Sequence, residues 1–257
     1  MYITKILNTN KYKKTGNIYS FITWERPEWS KRLDQFFGNS KYPMGRMYNF
    51  AKIRFKDNRV MQELYKEVLE TDGIIIDLAS GPSGYFGPVI DNLCENSTFV
   101  ITDASEFLIN AHSVANKTRN KVKIFDIDLE KELPLKDETI DCYCGYVPSN
   151  FDKFDLLLNE VSRTLKKNGK LCIIDWFFDE KTDTFKYLKD NNKITYSLEY
   201  FISFCNRLGL KLKNKDLDRK YIGKQEGDLL PINPLDEIMV YGLVFIKQWM
   251  IIFNKHK

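Results

Sequence analysis

Ile74-Ile75-Ile76-Asp77-Leu78 runs directly into Ala79-Ser80-Gly81-Pro82-Ser83-Gly84. A short unbroken apolar run closed by glycines predicts a strand buried on both faces, which only a sheet covered by helices above and below can supply. Gly81 and Gly84 let the backbone turn sharply and come close to a ligand. The rest of the chain provides the cover. An amphipathic helix is predicted over 60–69, with apolar residues three and four apart and Gly73 as its stop signal. Further helices are predicted over 85–94, with Pro88 in the first turn, and over 104–116, 156–165 and 198–208. Strands are predicted over 98–102, 121–127, 139–145, 170–177 and 239–246. Such alternation means an α/β fold with a mostly parallel sheet, whose ligands bind at the carboxyl ends of the strands.

At 257 residues the chain is long enough for one large domain with an added segment. We divide it into an N-terminal lid or cap over 1–58 and a main domain over 59–257. No apolar stretch reaches the roughly 18 residues of a membrane span, and the first 14 residues lack the apolar core of a secretory signal, so the expectation is a cytoplasmic protein with no membrane contact. The five cysteines form no C-x-x-C pair and read as buried, reduced thiols, with no metal site. Net charge is +4, yet residues 1–60 alone carry +9 and the remainder −5. A basic arm can steer an acidic ligand or nucleic acid. Lysines without a recognition module favour a solvated extension instead, so nucleic acid is not an expected partner.

Asp103 closes the second strand, 19 residues after Gly84. An acid there can accept hydrogen bonds from both hydroxyls of a ribose. It could equally cap the next helix. Ser105 can cap as well, which leaves Asp103 for a ligand.

Taken in order, four stretches resemble the class I S-adenosylmethionine-dependent methyltransferase family: Ile74 to Gly84, Phe99 to Ser105, Asp128-Leu-Glu-Lys-Glu-Leu-Pro-Leu with Glu138-Thr-Ile-Asp141, and Asn159 to Gly169. The resemblance implies a Rossmann-like, seven-stranded sheet with its last strand antiparallel, and S-adenosylmethionine as cofactor. It implies that Asp77 orients the methionine amino group, that Ala79, Ser80, Gly81 and Gly84 wrap the methionine and ribose end, and that Asp103 holds the ribose hydroxyls. Asp128 would face the adenine amino group with Leu129 beside it, and Gly145 and Tyr146 would border the methyl donor. The chain departs from the family's pattern at Ala79 and Ser83, where glycines are usual. Alanine fits the loop if its φ is negative. Asp126 and Asp128 lie two apart on one strand, so spacing leaves the adenine role open between them.

Methyl transfer from a sulfonium is an in-line displacement with a good leaving group, so alignment is the protein's main task. Candidates for acid–base work are the strand-end residues Tyr146 and Asp175. His112, expected on the outer layer, and His256 are set aside. Candidates for holding the acceptor are Trp24, Trp29 and Tyr48 in the N-terminal segment, with Asn150 and Trp176 at strand ends. Residues 215–236 read as a second substrate loop. A small-molecule acceptor comes first, ahead of a peptide or protein side chain and then RNA. A non-catalytic cofactor-binding scaffold of the same fold stays open, as does the oligomeric state.

Overall fold

Nine strands form one sheet in the computed structural model, which describes residues 3–22, 25–38, 51–82, 84–147, 152–222, 233 and 235–248. In chain order they are β1 (Lys13–Thr15), β2 (Ile18–Ser20), β3 (Ile74–Leu78), β4 (Thr98–Asp103), β5 (Val122–Asp126), β6 (Ile140–Tyr146), β7 (Leu165–Phe178), β8 (Leu210–Ile222) and β9 (Glu237–Lys247). Across the sheet the order is β1-β2-β5-β4-β3-β6-β7-β9-β8. Pairing is parallel from β2 to β7, and β9 runs antiparallel to both of its neighbours. Order reverses at β3, so β3, β4 and β6 open the crevice where such sheets bind ligands.

The α/β, mostly parallel architecture is therefore as expected, and six of its strands stand where the sequence put them; β8 joins them to make the seven-stranded sheet that the resemblance implies. The other two, β1 and β2, come from the N-terminal segment and add a short ribbon beside β5. Three-residue strands are too short to show an alternation in sequence.

Helices α1 (Glu28–Gly38), α2 (Arg59–Leu69), α3 (Glu106–Ala115), α4 (Phe154–Thr164), α5 (Asp183–Asp190) and α6 (Leu198–Arg207) surround the sheet. One face buries Leu157, Leu158 and Val161 of α4 and Phe201 and Cys205 of α6. The other buries Met61, Leu64 and Val68 of α2, Ile109 of α3 and Leu188 of α5. Alternate residues of β6 and β7 divide accordingly: Tyr143, Leu171, Ile173 and Phe177 point to the first face, and Cys142, Cys144, Cys172, Ile174 and Trp176 to the second. Asn58 caps α2 by accepting the Met61 N–H at 2.7 Å, worth about 1 kcal/mol. Among the described residues, no helix is long and apolar enough to cross a membrane, and no cluster of His, Cys, Asp and Glu is arranged to hold a metal.

Two expectations change. The helix over 85–94 is only a 3₁₀ turn, Gly87–Asn92; Gly87 and Pro88 are poor helix formers, and Pro88 brings no N–H to a ladder. The loop over 215–236 is strand as far as Ile222. Register shifts between Leu212 and Asn214 and between Leu217 and Arg219 break the two-residue period that would have shown β8 in sequence.

Gly242 on β9 sits beneath α2, and a Cβ there would stand 2.4 Å from Val60 Cγ1. Gly242→Ala is expected to destabilise the fold by about 1–3 kcal/mol through overpacking. Adding Val60→Ala should restore much of the loss in chemical denaturation; a single variant as stable as the parent would disprove the contact.

Candidate functional site

The turn after β3 is set by its neighbour β4. Thr102 Oγ1 donates to the Asp77 carbonyl at 2.7 Å and accepts the Ala79 N–H at 3.1 Å, while the Ser80 N–H reaches the Thr102 carbonyl at 2.9 Å. These three bonds force a left-handed bend. Ala79 has φ 51°, followed by Gly81 at 58° and Gly84 at 51°. The condition on which alanine would fit freely, a negative φ, is not met: Ala79 occupies a backbone region that costs a Cβ about 1–2 kcal/mol, held there by the bonds to Thr102.

Gly81 is pinned on both sides of its own residue. Its N–H donates to Asp103 Oδ2 at 3.2 Å, and its carbonyl accepts from His112 Nε2 at 2.8 Å. His112 is 2% exposed, so its expected place on the outer layer is wrong. It lies on the inner face of α3, against the loop. Burial drives its pKa down to about 4, so the ring is neutral and Nε2 carries the donated proton.

Two buried acids stand beside this turn. Asp103 accepts the Ser105 N–H at 2.8 Å through its other oxygen, and Ser105 rather than Asp103 caps α3, accepting the Leu108 N–H at 3.2 Å. Burial lifts Asp103 to about 6 despite these bonds. Asp77 is 2% exposed; its Oδ1 accepts the Cys144 thiol at 3.9 Å, and its Oδ2 has no hydrogen-bond partner among the described residues. Burial, with the charge of Asp103 adding to it, raises Asp77 to about 7. The Cys144 thiol is pushed up by its own burial and then by Asp77.

Across the crevice, Arg26 grips Asp126 with two bonds of 2.8 Å, and Ser20 donates to Asp126 Oδ2 at 2.6 Å. Arg26 also reaches the Ala104 carbonyl at 2.6 Å, and Asp34 accepts from Ser105 Oγ at 2.5 Å. The N-terminal segment is thus latched onto the ends of β4 and β5. Asp128, 5% exposed, accepts the Glu130 N–H at 3.1 Å, its carboxylate's one hydrogen bond among the described residues, with Lys131 Nζ at 3.6 Å.

Residues 76–173 match the methyltransferase domain family. Over that stretch the chain is similar to methyltransferase domains. Solved structures similar to it include a geranyl diphosphate C-methyltransferase of Streptomyces coelicolor A3(2), in complex with Mg2+, geranyl diphosphate and S-adenosyl-L-homocysteine (TM-score 0.61, 10% identity, covering 86% of this chain and 98% of that one). A SAM-dependent methyltransferase of Aquifex aeolicus gives 0.53 at 16% identity, over 80% and 99%. The provisionally assigned sarcosine dimethylglycine methyltransferase of Galdieria sulphuraria gives 0.58 at 14%, over 84% and 98%. At these identities the likeness is one of fold. No curated protein sequence matches the chain.

The fold brings together some of the residues singled out in sequence. Asp77, Ala79, Ser80, Gly81, Gly84 and Asp103 form one bend. Gly145 pairs with Leu78 across β3 and β6. Leu129 is buried in the core beside Asp128. Tyr146 stacks on Tyr85 at 4.0 Å, with Phe55 at 5.8 Å, and accepts from Arg219 Nη2 at 2.9 Å. Trp176 is buried on the same sheet face. Asp175 is not brought to Tyr146: strand alternation turns it to the opposite face, fully buried, with Oδ1 accepting the Trp176 N–H at 2.9 Å. Trp24, Tyr48 and Asn150 lie outside the described residues, as does the side chain of Trp29. Sequence reading missed His112, Arg219, Tyr85 and Phe55. Two of them carried a signal: Tyr85 directly after the loop's last glycine, and His112 on the apolar stripe of its helix.

Ala79→Gly is expected to stabilise the domain by roughly 0.5–1 kcal/mol, the relieved left-handed strain exceeding the added unfolded-state entropy. Thermal unfolding should show a rise of about 2 °C; a fall would mean that the bend is not strained.

Proposed function

We propose that this protein is an S-adenosylmethionine-dependent methyltransferase acting on a small-molecule acceptor. One observation carries the reading: a fully buried carboxylate, Asp77, keeps an unmatched oxygen directly before a left-handed loop whose Gly81 is tied to a second acid. An ammonium group is the natural partner for such an oxygen. Asp77 would take the methionine amino group. Ala79 to Gly84 would wrap the chain, and Asp103 would accept the ribose hydroxyls. Asp126 is already spent on Arg26 and Ser20, which favours Asp128, beside Leu129, for the adenine amino group. Gly145 and Tyr146 would border the donor's methyl.

The cofactor supplies an electrophilic methyl group when bound. The protein's own residues align the acceptor and exclude water, which can lower the barrier by up to about 7–11 kcal/mol. Tyr146 at the end of β6 and Trp176 at the end of β7 stand on the acceptor side, with the flat rings of Phe55 and Tyr85. The N-terminal segment, latched through Arg26, serves as lid. Aromatic walls of this kind suit a small acceptor better than a polymer. Free cysteines, four of the five buried, suit a cytoplasmic setting.

Calorimetric titration with S-adenosylhomocysteine tests the assignment. Asp103→Ala should weaken binding at least tenfold; unchanged affinity in a folded variant removes the ribose role.

A pH series tests Asp77. Its carboxyl stays protonated in the ligand-free protein up to about 7, and an ammonium needs the ionised form. Affinity should therefore fall roughly tenfold between pH 8 and pH 6, and Asp77→Asn should flatten that dependence. The same shift has a sign for stability. A carboxyl raised from 3.8 to about 7 on folding contributes stability that is fully present below 3.8 and lost as pH rises through 7. Asp77→Asn should thus raise the unfolding temperature of the ligand-free protein at pH 8 much more than at pH 4. Equal effects at the two pH values would show that the carboxyl is not held neutral.

A further inference from the structure

The acceptor side holds hydrogen-bonding capacity that the cofactor reading does not use. On β8, Leu217 pairs with Tyr241 and Arg219 with Val240, so Asp218 is an extra residue in the ladder. Simple alternation from Asp216 would send residue 219 to the face away from α2; the bulge returns it. Arg219, Val240 and Trp176 then lie in one row across β8, β9 and β7. Their side chains share the face that carries Tyr146, with Arg219 and Trp176 two strands, roughly 10 Å, apart at the backbone.

Arg219 is held from behind. Asn58, the cap of α2, donates through Nδ2 to Asp218 Oδ1 at 2.5 Å; Asp218 pairs with Arg219 Nη1; and Arg219 Nη2 donates to Tyr146 Oη at 2.9 Å. Two of the guanidinium's five donors are committed, and the side chain stays 28% exposed. Trp176 is 3% exposed, and its Nε1 is buried with no partner among the described residues. A buried donor left unmatched costs enough that a partner is expected for it. The carboxylates nearby on β8 are already matched, Asp218 as above and Asp216 by Asn214 and Arg59. What remains is donors, and donors facing flat rings call for a planar, oxygen-rich anion.

We infer that the methyl acceptor is a planar carboxylate, its carboxylate shared between Arg219 and Trp176 Nε1 and its ring beside Tyr146. This rests on the methyltransferase reading above, which its test keeps separate. Arg219 acts as the specificity-determining residue, with Asp218 and Asn58 positioning it.

The test titrates benzoate and its neutral isostere benzamide into the full chain saturated with S-adenosylhomocysteine, by calorimetry. The expected result is benzoate bound at least tenfold more tightly. Arg219→Gln should shrink that ratio below twofold, and Trp176→Phe should weaken benzoate about threefold or more, with thermal unfolding confirming that each variant is folded. If Arg219→Gln does not fold, Arg219→Lys serves, weakening benzoate at least threefold and benzamide not at all. Failure to bind S-adenosylhomocysteine sinks the cofactor reading. Binding it while taking benzoate no better than benzamide, taking neither, or keeping the preference without Arg219, overturns this inference alone.

Discussion

Thr102 ties the end of β3 to the end of β4, and the functional end of the sheet is built on that tie. One hydroxyl bonds the Asp77 carbonyl, one residue before the end of β3, and the first N–H of the bend. Once those are fixed, Ala79 has no conformation left but the left-handed one, and the chain must double back toward β4. That return delivers the Gly81 N–H to Asp103 and the Gly81 carbonyl to His112. The loop is therefore not a flexible glycine hinge. It is a rigid bend with bonds on both sides, and the strain at Ala79 is local, of order 1–3 kcal/mol, against a network that over-determines it.

How much of this was legible depended on whether the deciding contact was local. Ile74 to Leu78 is apolar throughout because both of its faces are covered, and that pattern survives in sequence. The acid at 103 was readable from spacing, and Ser105 as the true cap was an open alternative that the structure decides. Spacing alone left Asp126 and Asp128 open. Asp128 in fact lies two residues past the end of β5, and the contact that sets the two apart, the grip of Arg26 on Asp126, comes from a hundred residues upstream. Asp175 was readable as a strand-end acid but not as one facing away, since its parity relative to Tyr146 depends on the register of β6 against β7. His112 was misread although a signal existed: it stands three and four residues after Ile109 and Leu108, on the buried stripe of α3. β8 was hidden by its own bulges.

The charge asymmetry of the chain acquires a partial explanation from the same contacts. Residues 1–60 are strongly basic, and the structure spends one of those charges where it matters most, in the two-pronged grip of Arg26 on Asp126. A two-pronged pair of this geometry, with Asp126 only 3% exposed, matters less for its net gain than for what its loss would leave, a buried carboxylate without its cation. It also removes one of the crevice's carboxylates from competition for a ligand. The arm thus edits the electrostatics of the site as well as covering its edge.

What is left in the crevice is an imbalance. Asp77 and Asp103 are both buried, the charge of Asp103 adds to the rise at Asp77, and the neighbouring histidine is held neutral rather than cationic. Without a ligand Asp77 relieves this by holding its proton up to about 7, with one oxygen unmatched among the described residues. A ligand bringing positive charge to that spot would let the carboxyl ionise and pair at once. A ligand bringing a phosphate would meet two acids and no long helix end, since the turn after the loop is only a six-residue 3₁₀ segment. On the proposed reading, sign would therefore count before shape, and an ammonium- and sulfonium-bearing nucleoside would fit the crevice better than the dinucleotides that other sheets of this topology bind.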